Sequence, residues 1–318
     1  MSVPRHPVAI LNPVAPGHGR ALALLTRRAA EAGWPRVTVL HTTAEDPGAG
    51  QAQQALEQGA DLVLVGGGDG TVRTVAQGLR GTGVTLGIIP LGTANIYARN
   101  LGLSPHRLDE AVRTAMLGRP EALDIGVARF RTEADPGQES GEHGFLVLAG
   151  LGHDALTVAA TRPALKRRLG WLAYLEAGAR HLVRRPLGME LGLDNGPAQH
   201  RQLWSCLVGN APRIPLGIQV FPARTLADGL LDVMEVRVAR PHHWAPVALA
   251  GLRRRAEARV LVHHDARTVQ LRPDRPTALQ LDGDVVGPVV EATLTVQPGA
   301  LLVNRPSPAH RPDRRRKP

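Results

Sequence analysis

The segment Leu62-Val-Leu-Val-Gly-Gly-Gly-Asp-Gly-Thr71 carries the strongest chemical signal in the chain. An apolar run passes into four glycines broken by one acid, and a helical pattern follows. Glycines let a backbone come close to a phosphate, and a helix N-terminus offers unpaired N–H groups and the positive end of its dipole. The spacing departs from the dinucleotide fingerprint, because Thr71 stands where a third glycine would be. It departs from a Walker A loop too, since no Gly-Lys-Ser/Thr follows. Asp69 would repel a phosphate unless a Mg2+ lay between the two charges, bound directly or through water. A capping acid at a glycine turn is the other reading. A second segment, Ile89-Pro-Leu-Gly-Thr-Ala-Asn-Ile-Tyr-Ala-Arg-Asn-Leu-Gly102, also follows an apolar run and opens a helical pattern. Gly92 permits a tight turn there. Thr93 and Asn95 sit at the cap, able to donate to phosphate oxygens, although an ordinary N-cap would look the same.

A third segment, Leu281-Asp-Gly-Asp284, joins two apolar runs. Phosphoryl transfer needs a carboxylate to position the acceptor hydroxyl and take its proton. An Asp-Gly hairpin turn needs the same residues for its backbone alone. The pairs His242-His243 and His263-His264 read as surface residues, because neighbours on a strand or helix point to different faces.

The elements that would position these residues follow from the apolar pattern. Val8–Leu11, Val37–Leu40, Leu62–Val65 and Leu86–Ile89 read as strands covered on both faces. Gly19–Ala32, Ala49–Gln58 and Val72–Leu79 between them read as helices. Such alternation predicts a parallel, three-layer α/β domain over residues 1–124. Two phosphate-type loops at the carboxyl ends of neighbouring strands lie where open α/β sheets bind ligands. Beyond Asp124 the pattern changes. Residues 131–143 read as a loop, and Pro163 to Val183 as a long helix with Leu, Trp171 and Tyr174 on one face and arginines on the other. That helix suits either core packing or a membrane interface. Strand-like runs then dominate: Met189–Leu193, Leu203–Val208, Leu231–Val238, Val260–His263, Thr268–Leu271, Ala278–Leu281 and Val289–Val296. Only residues 242–257 interrupt them with a helical pattern. Residues 125–304 are expected to form a β-rich, sandwich-like domain whose last strand returns to the first domain.

Aromatic residues make up 3% of the chain, so Leu, Val, Ala and Ile must build the core. The single cysteine, Cys206, excludes an internal disulfide framework and a cysteine-rich zinc site, and it suits a reducing compartment. No window approaches the ~20 apolar residues of a membrane span, and no leader-like h-region is visible. The expected location is the cytoplasm, with peripheral contact at the inner face of the membrane. Formal net charge is +10. Residues 305–318 hold Arg305, Arg311, Arg314, Arg315, Arg316 and Lys317 against Asp313, and read as a basic disordered tail. Anionic lipid would attract such a tail, and a solvated tail with no partner would look alike. No basic stretch is interleaved with stacking aromatics, so nucleic acid is not an expected partner.

Asn12-Pro13, Gly67-Gly-Asp-Gly-Thr71 and Pro90-Leu-Gly-Thr-Ala-Asn95 with Ala98-Arg99 resemble the diacylglycerol kinase catalytic-domain family, bacterial lipid kinases related to sphingosine kinases. Ala149-Gly-Leu-Gly-His-Asp-Ala155, Asp228-Gly-Leu-Leu-Asp-Val233, Leu281-Asp-Gly-Asp284 and Gln297-Pro-Gly-Ala-Leu301 extend the likeness to roughly residues 8–304. The resemblance implies an ATP-dependent lipid kinase that moves the γ-phosphoryl group onto a hydroxyl of a diacylglycerol-like or sphingoid lipid at a membrane surface. It implies that Asn12, Thr42 or Thr43, Gly67, Gly68, Asp69, Gly70, Thr71, Val72, Arg73, Thr93 and Asn95 contact the nucleotide. Asp228, with the main-chain carbonyls of Thr225 and Leu230, would match a structural Mg2+ site, and Asp69 would face Mg2+ at the phosphates. The Asp-Gly-Asp segment would hold the general base, Asp282 in the first place and Asp284 in the second. Two departures stand out: many relatives have Glu at position 284, and His153 replaces an aromatic. An NAD kinase shares the Gly-Gly-Asp-Gly-Thr loop and is the nearest rival; a binding protein without catalysis is the other. A homodimer is compatible with the sequence.

Overall fold

The computed structural model describes residues 6–155, 184–213, 221, 225–238, 240 and 260–307. The chain divides into two compact units, one containing residues up to Leu123 and from Ala300 onward, the other Asp124–Gly299.

The first unit alternates strand and helix: β1 (Pro7–Leu11), α1 (His18–Glu31), β2 (Thr38–His41), α2 (Ala49–Glu57), β3 (Leu62–Gly67), α3 (Asp69–Leu79), β4 (Thr85–Pro90), α4 (Ile96–Asn100) and α5 (Leu108–Leu117). The strands pair in parallel in the order β2-β1-β3-β4. The end of the last strand, β15 (Asp284–Arg305), joins this sheet beside β4, with Leu302 opposite Thr85. Every residue of β1 and β3 is buried, as the unbroken apolar runs require of strands covered on both faces. One face is covered by α1 and α5. Ala21, Leu25 and Ala29 recur every four residues along α1 and pack with Val112 and Ala115 of α5 against Leu11, Leu62 and Leu64. Each large apolar side chain buried this way contributes roughly 1.5–3 kcal/mol. Gly87 of β4 lets α5 approach, since a Cβ there would run into the carbonyl of Ala115. On the other face α3 buries Val72, Val75, Ala76 and Leu79 and packs beside α2, where a Cβ on Gly78 would lie 2.8 Å from that of Ala52.

Helix α3 begins at Asp69, three residues before the expected Val72. Gly68 takes extended backbone as its N-cap, and an acid in the first turn suits the helix dipole. The residues read as a phosphate loop are therefore partly the first turn of a helix. Arg305, read as the start of the tail, instead ends β15, and its guanidinium bonds the Glu121 carboxylate at 2.9 and 3.0 Å. The tail expectation from residue 308 onward lies outside the described residues, as do the helices expected over 163–183 and 242–257.

Strands β5 (Arg119–Thr132) and β6 (His143–Phe145) pair antiparallel, and the second unit is built of such antiparallel ladders. One runs β12 (Leu261–Ala266), β11 (Leu231–Val236), β10 (Ser205–Gly209), β7 (Leu148–Gly152), β14 (Thr277–Leu281) and the start of β15. The other runs β9 (Gln199–Leu203), β8 (Leu187–Leu193), β13 (Thr268–Pro273) and the middle of β15. Leu151, Cys206, Val233 and Leu279 from the first ladder share a core with Met189, Leu191, Leu271 and Leu294 from the second. Two sheets packed face to face around alternating inward residues make a sandwich. The run Leu203–Val208 is two strands, not one: Trp204 separates β9 from β10 and packs with Phe221, Met234 and Val236. His263 and His264 are half-buried on β12, not on the open surface, and His264 Nε2 lies 2.7 Å from Oε1 of the buried Glu235.

Candidate active site

In the first unit the expected nucleotide residues gather at the carboxyl ends of β1 to β4. Asn12 follows β1; its N–H donates to Gly66 O at 2.8 Å, and its Oδ1 accepts the Val14 N–H at 3.0 Å. Thr42 follows β2 and is buried, its N–H bonded to Leu11 O, whereas Thr43 is exposed. Asp46, two residues beyond Thr43's neighbour Ala44, caps α2 by accepting from Gly48, Ala49 and Gly50. Burial acts to raise its carboxyl, and those backbone bonds outweigh it and hold it below the ordinary value.

The loops after β3 and β4 touch through their glycines. A Cβ on Gly92 would sit 2.5 Å from the Cα of Gly68, so backbone meets backbone and no side chain fits between. Leu91 N–H donates to Gly67 O at 2.9 Å. A Cβ on Gly67 would meet Thr71 at 2.7 Å, whereas Gly70 is exposed, with nothing within 4 Å of a Cβ placed on it. The N-cap Gly68 makes no side-chain cap on α3, whose first turn holds exposed Gly70 and, one turn on, half-buried Arg73. Thr93 is exposed on the facing loop.

Asp69 does not cap its own helix. Its Oδ1 accepts the Ile96 N–H at 2.6 Å and lies 3.4 Å from the Tyr97 N–H, at the start of α4. One loop's acid thus holds the other loop's helix. Asn95 is turned inward and buried, with φ of 47°. Its Oδ1 accepts the Gly92 N–H at 2.8 Å and its Nδ2 donates to Gly92 O at 2.5 Å. The Asn95 amide thus closes its own loop.

In the second unit, Asp282 and Gly283 form the two-residue turn between β14 and β15, with φ of 51° and 91°. The Asp282 carboxylate accepts three backbone N–H groups: Leu146 at 2.7 Å on Oδ2, and Val147 at 2.8 Å and Leu148 at 2.9 Å on Oδ1. Three backbone donors on one carboxylate tie the turn to the residues leading into β7. Asp282 therefore pins the turn. Asp284, first residue of β15, is exposed.

Asp228 is exposed, and its Oδ1 accepts the Leu230 N–H at 3.1 Å. Thr225 is exposed and Leu230 half-buried in the same short segment. Among the described residues no three His, Cys, Asp or Glu side chains cluster as a metal site. The hard oxygens of Asp228 and of nearby carbonyls are the donor type Mg2+ takes, and accepting one N–H leaves a carboxylate further lone pairs. One buried carboxylate escaped the sequence reading. Asp124 accepts Gly229 N–H at 2.7 Å and Gly299 N–H at 2.8 Å, tying the Asp228 loop to the end of the unit. A lone Asp at the end of an apolar run, far in sequence from both partners, gives no local signal.

Paired glycine loops at the carboxyl ends of neighbouring parallel strands, joined by an acid, lie where open α/β sheets bind ligands, and this α/β unit is followed by a β-sandwich. The model of the diacylglycerol kinase catalytic domain matches residues 6–128, and that of the YegS C-terminal NAD kinase beta sandwich-like domain matches residues 147–305. A protein of Pseudomonas fluorescens named "Probable lipid kinase YegS-like" is 31% identical over 267 residues, 80% of each chain. A Bacillus subtilis protein named "Diacylglycerol kinase" is 29% identical over 270 residues, 84% of each. The solved structure of a diacylglycerol kinase from Bacillus anthracis superposes with a TM-score of 0.69 at 20% identity, covering 97% of this chain and 99% of that one, and so shares its fold. The chain belongs to the diacylglycerol kinase catalytic-domain family of lipid kinases.

Proposed function

We propose that this lipid kinase transfers the γ-phosphoryl group of ATP to the hydroxyl of a diacylglycerol-like lipid. The observation that carries the reading is the contact of Gly68 with Gly92 at the first turn of α3, a backbone-only junction beside the open space at Gly70. N–H groups of Asp69, Gly70 and Thr71 receive phosphate oxygens there, with Arg73 and Thr93 at the rim. Asn12, Thr42, Gly67, Val72 and Asn95 shape the loops that present them. Mg2+ would be held near Asp69, and a second ion by Asp228 with the carbonyls of Thr225 and Leu230. Bound Mg2+ neutralises phosphate charge as it develops. Asp284, exposed where β15 begins, is the carboxylate that orients the acceptor hydroxyl and takes its proton, while Asp282 holds the turn that presents it. The reading places contact with the lipid at the membrane surface.

The test is incubation with γ-labelled ATP, Mg2+ and either diacylglycerol in detergent micelles, a sphingoid base in micelles, or NAD. Label on diacylglycerol is the expected result, and Asp284→Asn should lower that turnover at least ~100-fold. Label on NAD alone would establish the rival NAD kinase, and label on the sphingoid base alone would correct the acceptor.

A further inference from the structure

The second unit holds a polar pair, Asp154 and Gln280. Asp154 follows β7, and its Oδ1 is shut off from solvent without a hydrogen-bond partner. Its Oδ2 lies 3.4 Å from Nε2 of Gln280, a buried residue of β14. Its backbone N–H donates to Ser205 Oγ at 3.0 Å. Gly150 lies opposite Gln280 in the β7–β14 ladder. A Cβ on Gly150 would collide with the Asp154 carboxylate and sit 2.9 Å from Gln280 Nε2, so glycine leaves the space that the pair fills. The other end of the Gln280 amide reaches the Asp-Gly-Asp turn, where Oε1 accepts the Gly283 N–H at 2.8 Å. A reversed amide would set N–H against N–H at Gly283. The acceptor on Asp154 favours the orientation that holds the turn.

We propose that Asp154 is a positioning residue for phosphoryl transfer, acting through Gln280 to fix the Asp282-Gly283-Asp284 turn and with it the Asp284 carboxylate. The proposal rests on the reading of Asp284 as the acceptor-side base. It also gives the turn a dependence on protonation. Burial pushes the Asp154 carboxyl up to about 6, against hydrogen bonds from Ser205 and Gln280. The groups around it are Ser205 and Cys206 on β10, Gln280 on β14 and His153 beside it, with Glu235 opposite Cys206. The Cys206 thiol is driven upward by burial and then by the charges of Glu235 and Asp154, so it stays neutral. His153 Nε2 is held 3.0 Å from the carbonyl of Arg185. A charged acceptor makes a hydrogen bond about twice as strong as a neutral one. Protonating Asp154 therefore loosens the Gln280 amide without touching either substrate.

The experiment measures kcat and the KM for ATP from pH 5 to 8, with short-chain diacylglycerol in micelles, for the full chain and for Asp154→Asn, Gln280→Met and Asp284→Asn. Melting curves accompany each. In the unaltered protein, kcat should rise about tenfold through a limb near pH 6, less than the ~100-fold that a 1 Å misplacement costs. Asp154→Asn keeps the shape of the neutral acid and should stay at the lower level at every pH, with the limb gone and the KM for ATP within about twofold. Gln280→Met should give the same loss, and the double variant should lose no more than either single one. Should Asp154→Asn melt early, Gln280→Met supplies the same readout. A limb that persists in Asp154→Asn, or losses that multiply in the double variant, overturns the proposal. Full turnover in Asp284→Asn refutes the base reading and this proposal together. An inactive Asp284→Asn beside an unchanged Asp154→Asn profile refutes this proposal alone.

Discussion

Replacing Asp282 with alanine removes the acceptor for three backbone N–H groups at once, those of Leu146, Val147 and Leu148. Leu146 and Val147 are buried, so water does not simply take over the lost bonds. Each buried donor left unsatisfied costs roughly 1–3 kcal/mol. Asp282 also sits at φ 51°, where alanine costs about 1 kcal/mol more, while its own half-burial lets water recover part of the loss. The expected sum is about 4 kcal/mol, a large share of the ~5–15 kcal/mol that holds a typical protein folded. Asp282→Asn should cost about half as much, because asparagine tolerates positive φ and keeps one acceptor oxygen. The assay is urea unfolding of both variants beside a kinase assay at a temperature where each is folded. The reasoning predicts a lower midpoint for both, with turnover falling in step. A folded Asp282→Ala protein with an unchanged midpoint and no turnover would refute it, and would return Asp282 to the role of proton acceptor.

Gly92→Ala should raise the KM for ATP by about tenfold, because its Cβ meets the Gly68 backbone and neither loop can move aside without opening the cradle; an unchanged KM would separate the cradle from the nucleotide. Asp69→Asn should stay folded and lose at least ~100-fold in kcat, measured with saturating ATP; near-normal turnover would leave Asp69 a cap alone. Asp154 makes a stability prediction of opposite sign to its effect on turnover. Its folded value is raised from 3.8 to about 6, so the folded state holds the proton more tightly and stability falls as pH rises between those values. The gap corresponds to at most about 3 kcal/mol, and Asp154→Asn should melt higher than the parent at pH 8, with the advantage shrinking below pH 6. Equal melting temperatures at pH 8 would show that the carboxylate carries no such penalty.

The first unit could be read from sequence because its information is local. Strands buried on both faces leave unbroken apolar runs, glycines mark where loops meet, and helices α1 and α2 show their stripes within one window. What could not be read depends on long-range partners. Asp282 looks like any hairpin aspartate until Leu146–Leu148, about 135 residues earlier, are seen to donate to it. Asp124 gives no signal until Gly229 and Gly299 close on it. Trp204 splits a run that hydropathy alone keeps whole, because its side chain belongs to a second cluster. The beginning of α3 was misplaced for a related reason. Glycine inside a helix costs about 1 kcal/mol, so propensity pushed the start past Gly70, while an acid in the first turn and an extended Gly68 pull it back.

On sequence alone Asp69 suits either a metal-facing acid or a cap, and in the structure it accepts N–H groups at the start of the neighbouring helix. An acid among phosphate-binding glycines is unfavourable on electrostatics alone, so something must hold it. Capping its own helix would consume the N–H groups of α3 that a phosphate needs. Asp69 instead spends Oδ1 on Ile96 and Tyr97 at the start of α4, which leaves the α3 terminus uncapped. The same bonds draw α4 toward the glycine loop, and Asn95 folds the intervening turn back on Gly92. The acid that locks the two loops together is, on the proposed reading, also the one that faces a cation at the phosphates. A fifth glycine in its place would leave the Ile96 N–H without its acceptor and the two loops without their link.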